Sequence, residues 1–315
     1  MRLFYDTATA LVYDPVAANR NTTRAALRTL GFQQIDTVSS LDDLEAALRQ
    51  RAPDIVLCEA HGSDEPLCAL IQKLRRGHQG FNPFVVIIVT AWTKDQALIT
   101  RIVNSGADDL LLRPFSTSLL ESRIRAHAER RKNFVVTSDY VGPDRRPEKR
   151  EPNVELFEPP NSLRMKAKER LSPDEVSQRL DGELKDACAA LASEKLRRDA
   201  FQICILWRLL QDQKPATVVF AADLKKLKQL TRDVCARCTA SGYDPAVESC
   251  ESVIAALEGV EAGVDRNASM HLLGQSALHL KQFFEPDKTE AEHKSEIDAT
   301  VEMIHARDTQ QALAS

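Results

Sequence analysis

Long apolar runs are missing from this 315-residue sequence. No stretch approaches the roughly 18 apolar residues needed to cross a bilayer. The opening MRLFYDTATALVYD lacks the uninterrupted apolar segment of a secretory signal. A soluble, cytoplasmic protein is expected. Aromatic residues are scarce, 5% against 43% hydrophobic overall, so a core must be built from aliphatic side chains, which favours α/β or all-α structure over a β-sandwich. An excess of charge of one sign is also lacking: 42 basic and 46 acidic side chains leave a formal net charge of −4. No global field draws the protein towards nucleic acid or an anionic membrane, and neither is expected as a partner.

Disulfide spacing is absent as well. The seven cysteines, Cys58, Cys68, Cys188, Cys204, Cys235, Cys238 and Cys250, are odd in number and scattered through apolar surroundings, as expected of reduced core residues. Cys235 and Cys238 are close, in a CARC run. Zinc would want a second such pair or two histidines, and neither is evident. Three residues apart on a helix, these two share a face. Packing is the expected role, with metal or redox chemistry the minor alternative. No nucleophile elbow, HExxH pair, Walker loop or paired-carboxylate run stands out, so no enzymatic activity is expected.

What the sequence does contain changes character along its length. Over residues 1–131, β-branched runs at 10–13, 34–38, 54–58, 85–90 and 109–112 alternate with helical patterns at 17–30, 41–49, 65–76, 94–105 and 118–131. Alternation of this kind predicts a doubly wound, five-stranded parallel sheet. The third and fourth runs are almost wholly apolar, as strands covered on both faces require. Residues 132–171 carry several prolines, interleaved charges and no sustained period, which reads as a linker. Its basic run Arg145, Arg146, Lys149 and Arg150 loosely resembles the opening of cyclic-di-GMP-binding PilZ domains, but no DxSxxG partner or barrel pattern follows. A solvated segment is the expectation.

Beyond it, Ser172-Pro173-Asp174-Glu175 forms a capping-box helix start. Apolar residues recur every three to four positions through Val176, Leu184, Leu191, Ile203, Trp207 and Leu210, in one helix or two. Further helices are predicted at 216–240, 244–263, 267–284 and 289–312, so residues 172–315 read as an all-α helical bundle. Two histidines of the helix predicted at 267–284, His271 and His279, fall in MHLLGQSALHLKQFF. Histidine phosphotransfer modules use a surface histidine on a bundle, followed by small residues and a lysine. Here a lysine follows His279 but so do bulky phenylalanines, and a plain surface or core histidine is the expectation. No helix-turn-helix, diguanylate-cyclase signature or internal repeat is apparent.

Ordered motifs in the first 131 residues resemble those of response-regulator receiver domains, the flavodoxin-like fold of the bacterial chemotaxis regulator. LVYDPVAANR resembles the family's acidic turn, PDIVLCE ends at its phosphoacceptor position, VIIVTA places Thr90 at its switch hydroxyl, and GADDLLLRPF resembles GADDYLxKPF. The resemblance implies a role in two-component signalling and a site made of Asp14, Glu59, Thr90, Arg113 and Pro114, the last with a cis peptide bond. Receivers hold Mg²⁺ with two acids and the acceptor aspartate, and use a lysine to balance the phosphoryl oxygens.

Four departures stand out. Pro15 takes the place of the second acid, leaving Asp14 alone and any Mg²⁺ site weak or absent. Glu59 replaces the acceptor aspartate, Arg113 the lysine, and Leu110 the aromatic switch residue. An arginine fork suits bidentate pairing with a carboxylate. Two readings compete: an internal Glu59–Arg113 pair fixing one conformation without phosphate, or a decayed site on a scaffold. Residual phosphorylation of Glu59 or another acid is the third. The favoured function is a phosphate-independent signalling adaptor that binds a histidine kinase, another regulator or itself, dimerising by analogy through residues 94–131. The alternative is a phosphorelay or phosphatase protein whose helical bundle acts on phosphorylated partners.

Overall fold

The computed structural model describes residues 3–62, 64–77, 80–137, 139–145, 156–215, 217–263 and 265–314. They fall into two compact units, Met1–Ala192 and Ser193–Ser315, described separately below.

In the first unit, β1 (Thr9–Tyr13), β2 (Gln34–Val38), β3 (Ile55–Glu59), β4 (Val86–Ala91) and β5 (Asp109–Leu112) form a parallel sheet of order β2-β1-β3-β4-β5. The connecting helices are α1 (Ala17–Thr29), α2 (Leu41–Arg51), α3 (Asp64–Arg75), α4 (Gln96–Ser105) and α5 (Thr117–Glu129). Every β3 and β4 residue is buried, and apolar clusters lie on both faces of the sheet. The order reverses at β1, so the crevice beyond the carboxyl ends of β1 and β3 is where a doubly wound sheet binds ligands. Side-chain caps fix the helix starts that border it: Asp95 accepts from the Leu98 N–H and Ser116 from the Leu119 N–H.

The expected linker is a correction. Within 132–171 the chain forms β6 (Phe134–Val136), β7 (Val141–Pro143) and β8 (Leu156–Phe157), an antiparallel sheet of order β7-β6-β8, and then α6 (Ser162–Ala167). Three phenylalanines, Phe84, Phe134 and Phe157, cluster with centroids 5.8–6.0 Å apart, Phe157 edge-on to the other two. Burying Phe134 alone contributes on the order of 1.5–3 kcal/mol. The charges that suggested solvent turn inward: Arg145 donates to the Ala107 carbonyl and Lys166 pairs with buried Asp54 at 2.8 Å, and just before them Arg131 donates to Asp108 and to the Val85 carbonyl. Strands of two and three residues are too short to show a period among prolines and charges. Arg146, Lys149 and Arg150 lie outside the described residues. Gly106, at φ +93°, ends α4 where β7 crosses it, and a Cβ there would meet the Val141 carbonyl oxygen at 2.6 Å.

Helix α7 (Pro173–Asp212) is continuous across the two suggested segments and opens with the predicted capping box. The compact units divide at 192/193, inside this helix, and not at a linker ending at 171. Extra strands, α6 and the start of α7 bury apolar side chains on the sheet domain, among them Leu163, Ala167 and Leu191.

The second unit comprises the rest of α7, α8 (Val218–Ser241), α9 (Asp244–Ala262), α10 (Arg266–Phe284) and α11 (Glu290–Ala314). Left-handed glycines, Gly242 and Gly263, end α8 and α9 as the sequence predicts. A single apolar cluster runs through all five helices, from Leu196 to Val301. Among the described residues, no helix is long and apolar enough to cross a membrane.

Candidate functional site

Four strand ends converge at the carboxyl edge of the parallel sheet. Asp14 follows β1, Glu59 ends β3, Thr90 is the penultimate residue of β4 and pairs with Glu59 in the sheet register, and Arg113 follows β5. The Arg113–Pro114 peptide bond is cis, as the resemblance implied. All four polar side chains are withdrawn from solvent: Asp14 is 0% exposed, Glu59 and Thr90 1%, and the Arg113 side chain 7%.

Glu59 is filled by donors from its own chain. Its Oε2 accepts from Arg113 Nε at 2.7 Å and from Thr90 Oγ1 at 2.7 Å, and its Oε1 accepts from the His61 N–H at 3.0 Å. Charge-assisted bonds of this length are the strong ones. The expected fork-to-carboxylate geometry is not what forms. Arg113 spends one nitrogen on Glu59 and turns Nη2 to Thr23 Oγ1 at 3.0 Å and Asp14 Oδ2 at 3.4 Å, bridging two acids. Above it, the Phe115 ring centroid lies 4.9 Å and that of half-exposed Trp92 6.0 Å from the guanidinium carbon.

Asp14 is the less satisfied acid. Burial pushes its carboxyl above the usual range, and the Val16 N–H at 2.8 Å and the Arg113 charge offset that only in part. Thr23, Trp92 and the His61 amide escaped the sequence reading. Thr23 could have been found as an inward position on α1, and Trp92 from its place two residues beyond Thr90. A backbone amide leaves no sequence signal.

The residues do not fit Mg²⁺. Octahedral Mg²⁺ is held by one or two carboxylates and completed by waters, and those carboxylates must be free of a competing cation. Here Pro15 is exposed and offers no acid, both Glu59 oxygens carry donors, and the guanidinium touches both carboxylates. The same contacts put at least one donor on each Glu59 oxygen.

In the helical unit, His271 and His279 both lie exposed on α10 but do not converge, being eight residues, or about 12 Å, apart. His279 Nδ1 sits 3.1 Å from Ser249 Oγ. His271 lines a cavity of about 510 Å³ with Trp207, Arg266, Met270 and Lys294. Sequence reasoning missed a different cluster. Glu285, His293 and Glu296 bring three ligand atoms within 4.8 Å of one another. A buried ammonium already occupies that position: Lys281 Nζ donates to Glu285, to Glu296 at 2.9 Å and to His293 Nδ1 at 3.0 Å. Burial would raise Glu285, yet bonds from Lys281 and Lys288 bring it down to about 2. An internal cation satisfies these acids in place of a metal.

Parallel order β2-β1-β3-β4-β5 with polar groups at its carboxyl edge agrees with sequence similarity. Over 115 residues, 36% of this chain and 49% of the relative, the sequence is 29% identical to the phosphate regulon transcriptional regulatory protein PhoB of Rhizobium meliloti. The N-terminal unit contains a receiver-domain fold. The chain thus spans about half the length of that relative. Solved structures similar to this receiver domain include a response regulator from Thermotoga maritima, 24% identical, covering 38% of this chain and 94% of that one with a TM-score of 0.33. Another is the chemotaxis protein CheY4 of Vibrio cholerae, 16% identical, covering 38% and 96% with a TM-score of 0.34. No protein-family model matches the chain.

Proposed function

We propose that this protein is an atypical response regulator that works in two-component signalling as a phosphate-independent, non-enzymatic adaptor in the cytoplasm. The carrying observation is the state of Glu59: buried, and bonded through both oxygens to Arg113, Thr90 and the His61 amide. In this reading the Arg113 guanidinium supplies, permanently and from inside the chain, the cationic grip on the β3 carboxylate. Thr90 is held inward by the same carboxylate, so the β4–α4 segment has one resting position. Partners would be a histidine kinase or another regulator, and α4, β5 and α5 offer a surface for a second copy of the chain.

Acetyl phosphate labelling tests this. The wild-type protein should take up no acid-labile phosphate with Mg²⁺ present, and binding of its partner should be unchanged by the reagent. Robust labelling at Glu59 sinks the reading. Decay to a mere scaffold is distinguished by Arg113→Ala, which should shift the amide resonances of β4 and α4 and weaken partner binding. A scaffold with a decayed site would show the shifted resonances but keep its partner binding.

A second reading has the helical unit act on phosphorylated partners, and the exposure of His271 and His279 on α10 favours it. Phosphotransfer to His279 from a cognate kinase would support it. Unchanged signalling in His271→Ala and His279→Ala would remove it.

A further inference from the structure

Near its middle α10 carries Gly274, a residue that helix interiors disfavour. The neighbouring helix requires it. The Trp207 indole of α7 lies so close across α10 that a Cβ at position 274 would overlap the ring, and its Nε1 donates to the Met270 carbonyl at 3.1 Å. Half-buried, the indole lines the cavity of about 510 Å³ to which α7, α10 and α11 contribute, a volume within the range of small-molecule sites.

The charge of that lining is one-sided. Arg266, His271 and Lys294 line it and, among the described residues, no acid does, in a chain whose net charge is −4. The two permanent cations differ. Lys294 pairs at the surface with Glu290, both side chains more than half exposed. Arg266 has no carboxylate against it among the described residues: its Nη2 donates to the Gln213 carbonyl at 3.2 Å, and its guanidinium carbon lies 5.2 Å from the Phe220 ring centroid. Arg113, Arg131 and Arg197, half-buried like it, each meet an acid. A carbonyl and a ring fix the Arg266 guanidinium in place without neutralising it. Met270, which takes the indole N–H, follows Arg266 by four residues, so cation and indole stand about one turn, ~6 Å, apart along α10.

We infer that this cavity binds a small organic anion built on a flat aromatic ring, with the ring against Trp207 and the anionic group on Arg266. An indole offers a π face for stacking, and an arginine fork matches a pair of carboxylate or phosphate oxygens. Gln211, His271 and Gln275 supply hydrogen-bonding groups for polar substituents of the ring. The site lies wholly within the second unit, so its test is independent of the state of Glu59.

The chain has two tryptophans, Trp92 and Trp207. In full-length Trp92→Phe, indole emission therefore reports on the cavity alone. Adenosine monophosphate and naphthoate are titrated separately, with adenosine and naphthamide as their neutral counterparts and inorganic phosphate as a competitor without a ring. The expected result is a saturable change in Trp207 emission with at least one of the two anions. Which of them binds more tightly distinguishes a phosphate ester from a carboxylate. The neutral counterpart should bind about tenfold more weakly, and Arg266→Gln should weaken the anion about tenfold, the worth of one charge-assisted hydrogen bond. Arg266→Lys should recover part of that loss. Absence of a saturable change with either anion up to millimolar concentration overturns the inference, as do equal affinities for charged and neutral rings or displacement of the anion by an equal concentration of phosphate. The comparison of charged with neutral rings leaves the cavity unaltered, and decides the matter even if Arg266→Gln fails to fold.

Discussion

The two ends of the receiver sheet bury opposite charge balances. At the carboxyl edge, two acids, Asp14 and Glu59, face one guanidinium, Arg113. At the amino edge one acid, Asp108, faces two: Arg75 Nη2 at 2.7 Å and Arg131 Nε at 2.9 Å, with the Ile87 N–H completing its shell at 2.8 Å. Burial would raise Asp108, but Arg131 and Arg75 hold it below the usual carboxylate range. Asp14, at the other end, stays above it. A closed shell of donors marks an anchor, here the one that fastens β6 and its neighbours beneath the sheet. The carboxyl edge keeps residual negative charge, bridged by a single cation beneath exposed Trp92. That imbalance leaves Asp14 short of donors, whereas Asp108 accepts from two guanidinium groups and an amide.

Breaking the anchor should cost most. Asp108→Ala strands two buried guanidinium groups, and removing one partner of a buried ion pair destabilises by about 3–5 kcal/mol. Urea unfolding should show a lower midpoint for the receiver unit. Because Asp108 is depressed in the folded state, its contribution is fully present above the unfolded carboxylate pKa and is lost as pH falls through the folded value. The deficit of the variant should therefore shrink in acid.

Arg113→Ala should cost less, about 1–3 kcal/mol, the penalty for leaving buried polar groups short of a partner, since water can enter at the open edge. It leaves Glu59 and Asp14 facing each other without a cation. Unfolding at neutral pH should show the loss, and protonation of the acids should recover part of it in acid.

How much of this could be read in advance divides along the same line. The five strands, the order of motifs and the residues of the carboxyl edge were legible because long apolar strands and fixed spacings are local. Glu59 and Arg113 were named as partners, but the bridge from Arg113 to Thr23 and Asp14 depends on where α1 lies, which no spacing states. The amino-edge anchor was illegible: Arg131 follows α5 like any surface charge, and Asp108 looks like half of an acidic pair. Only the fold shows that β6, β7 and β8 need them, which is why 132–171 read as a linker.

Thr90→Val isolates one bond of the carboxyl edge. It keeps the shape of the side chain and removes the hydroxyl that donates to Glu59 Oε2, and loss of one such bond is worth about 1 kcal/mol. The amide resonances of the β4–α4 segment should broaden, since Thr90 no longer ties that strand end to Glu59. An unchanged spectrum would show that Arg113 alone holds the site.

Asp14→Asn should have the smallest effect and the opposite sign. The folded pKa of Asp14 lies above its unfolded value, so the folded protein binds this proton more tightly than the unfolded chain does. Below the unfolded pKa both states are protonated and the residue costs nothing. As pH rises through the folded value, the unfolded chain gains by ionising and the buried carboxylate becomes a liability. An asparagine keeps an acceptor for the Val16 N–H without the charge. The variant should unfold at slightly higher denaturant than wild type at neutral pH and at the same concentration in acid. If it is destabilised at neutral pH instead, Asp14 contributes to the grip on Arg113 as strongly as Glu59 does, and the two acids of this edge are equivalent.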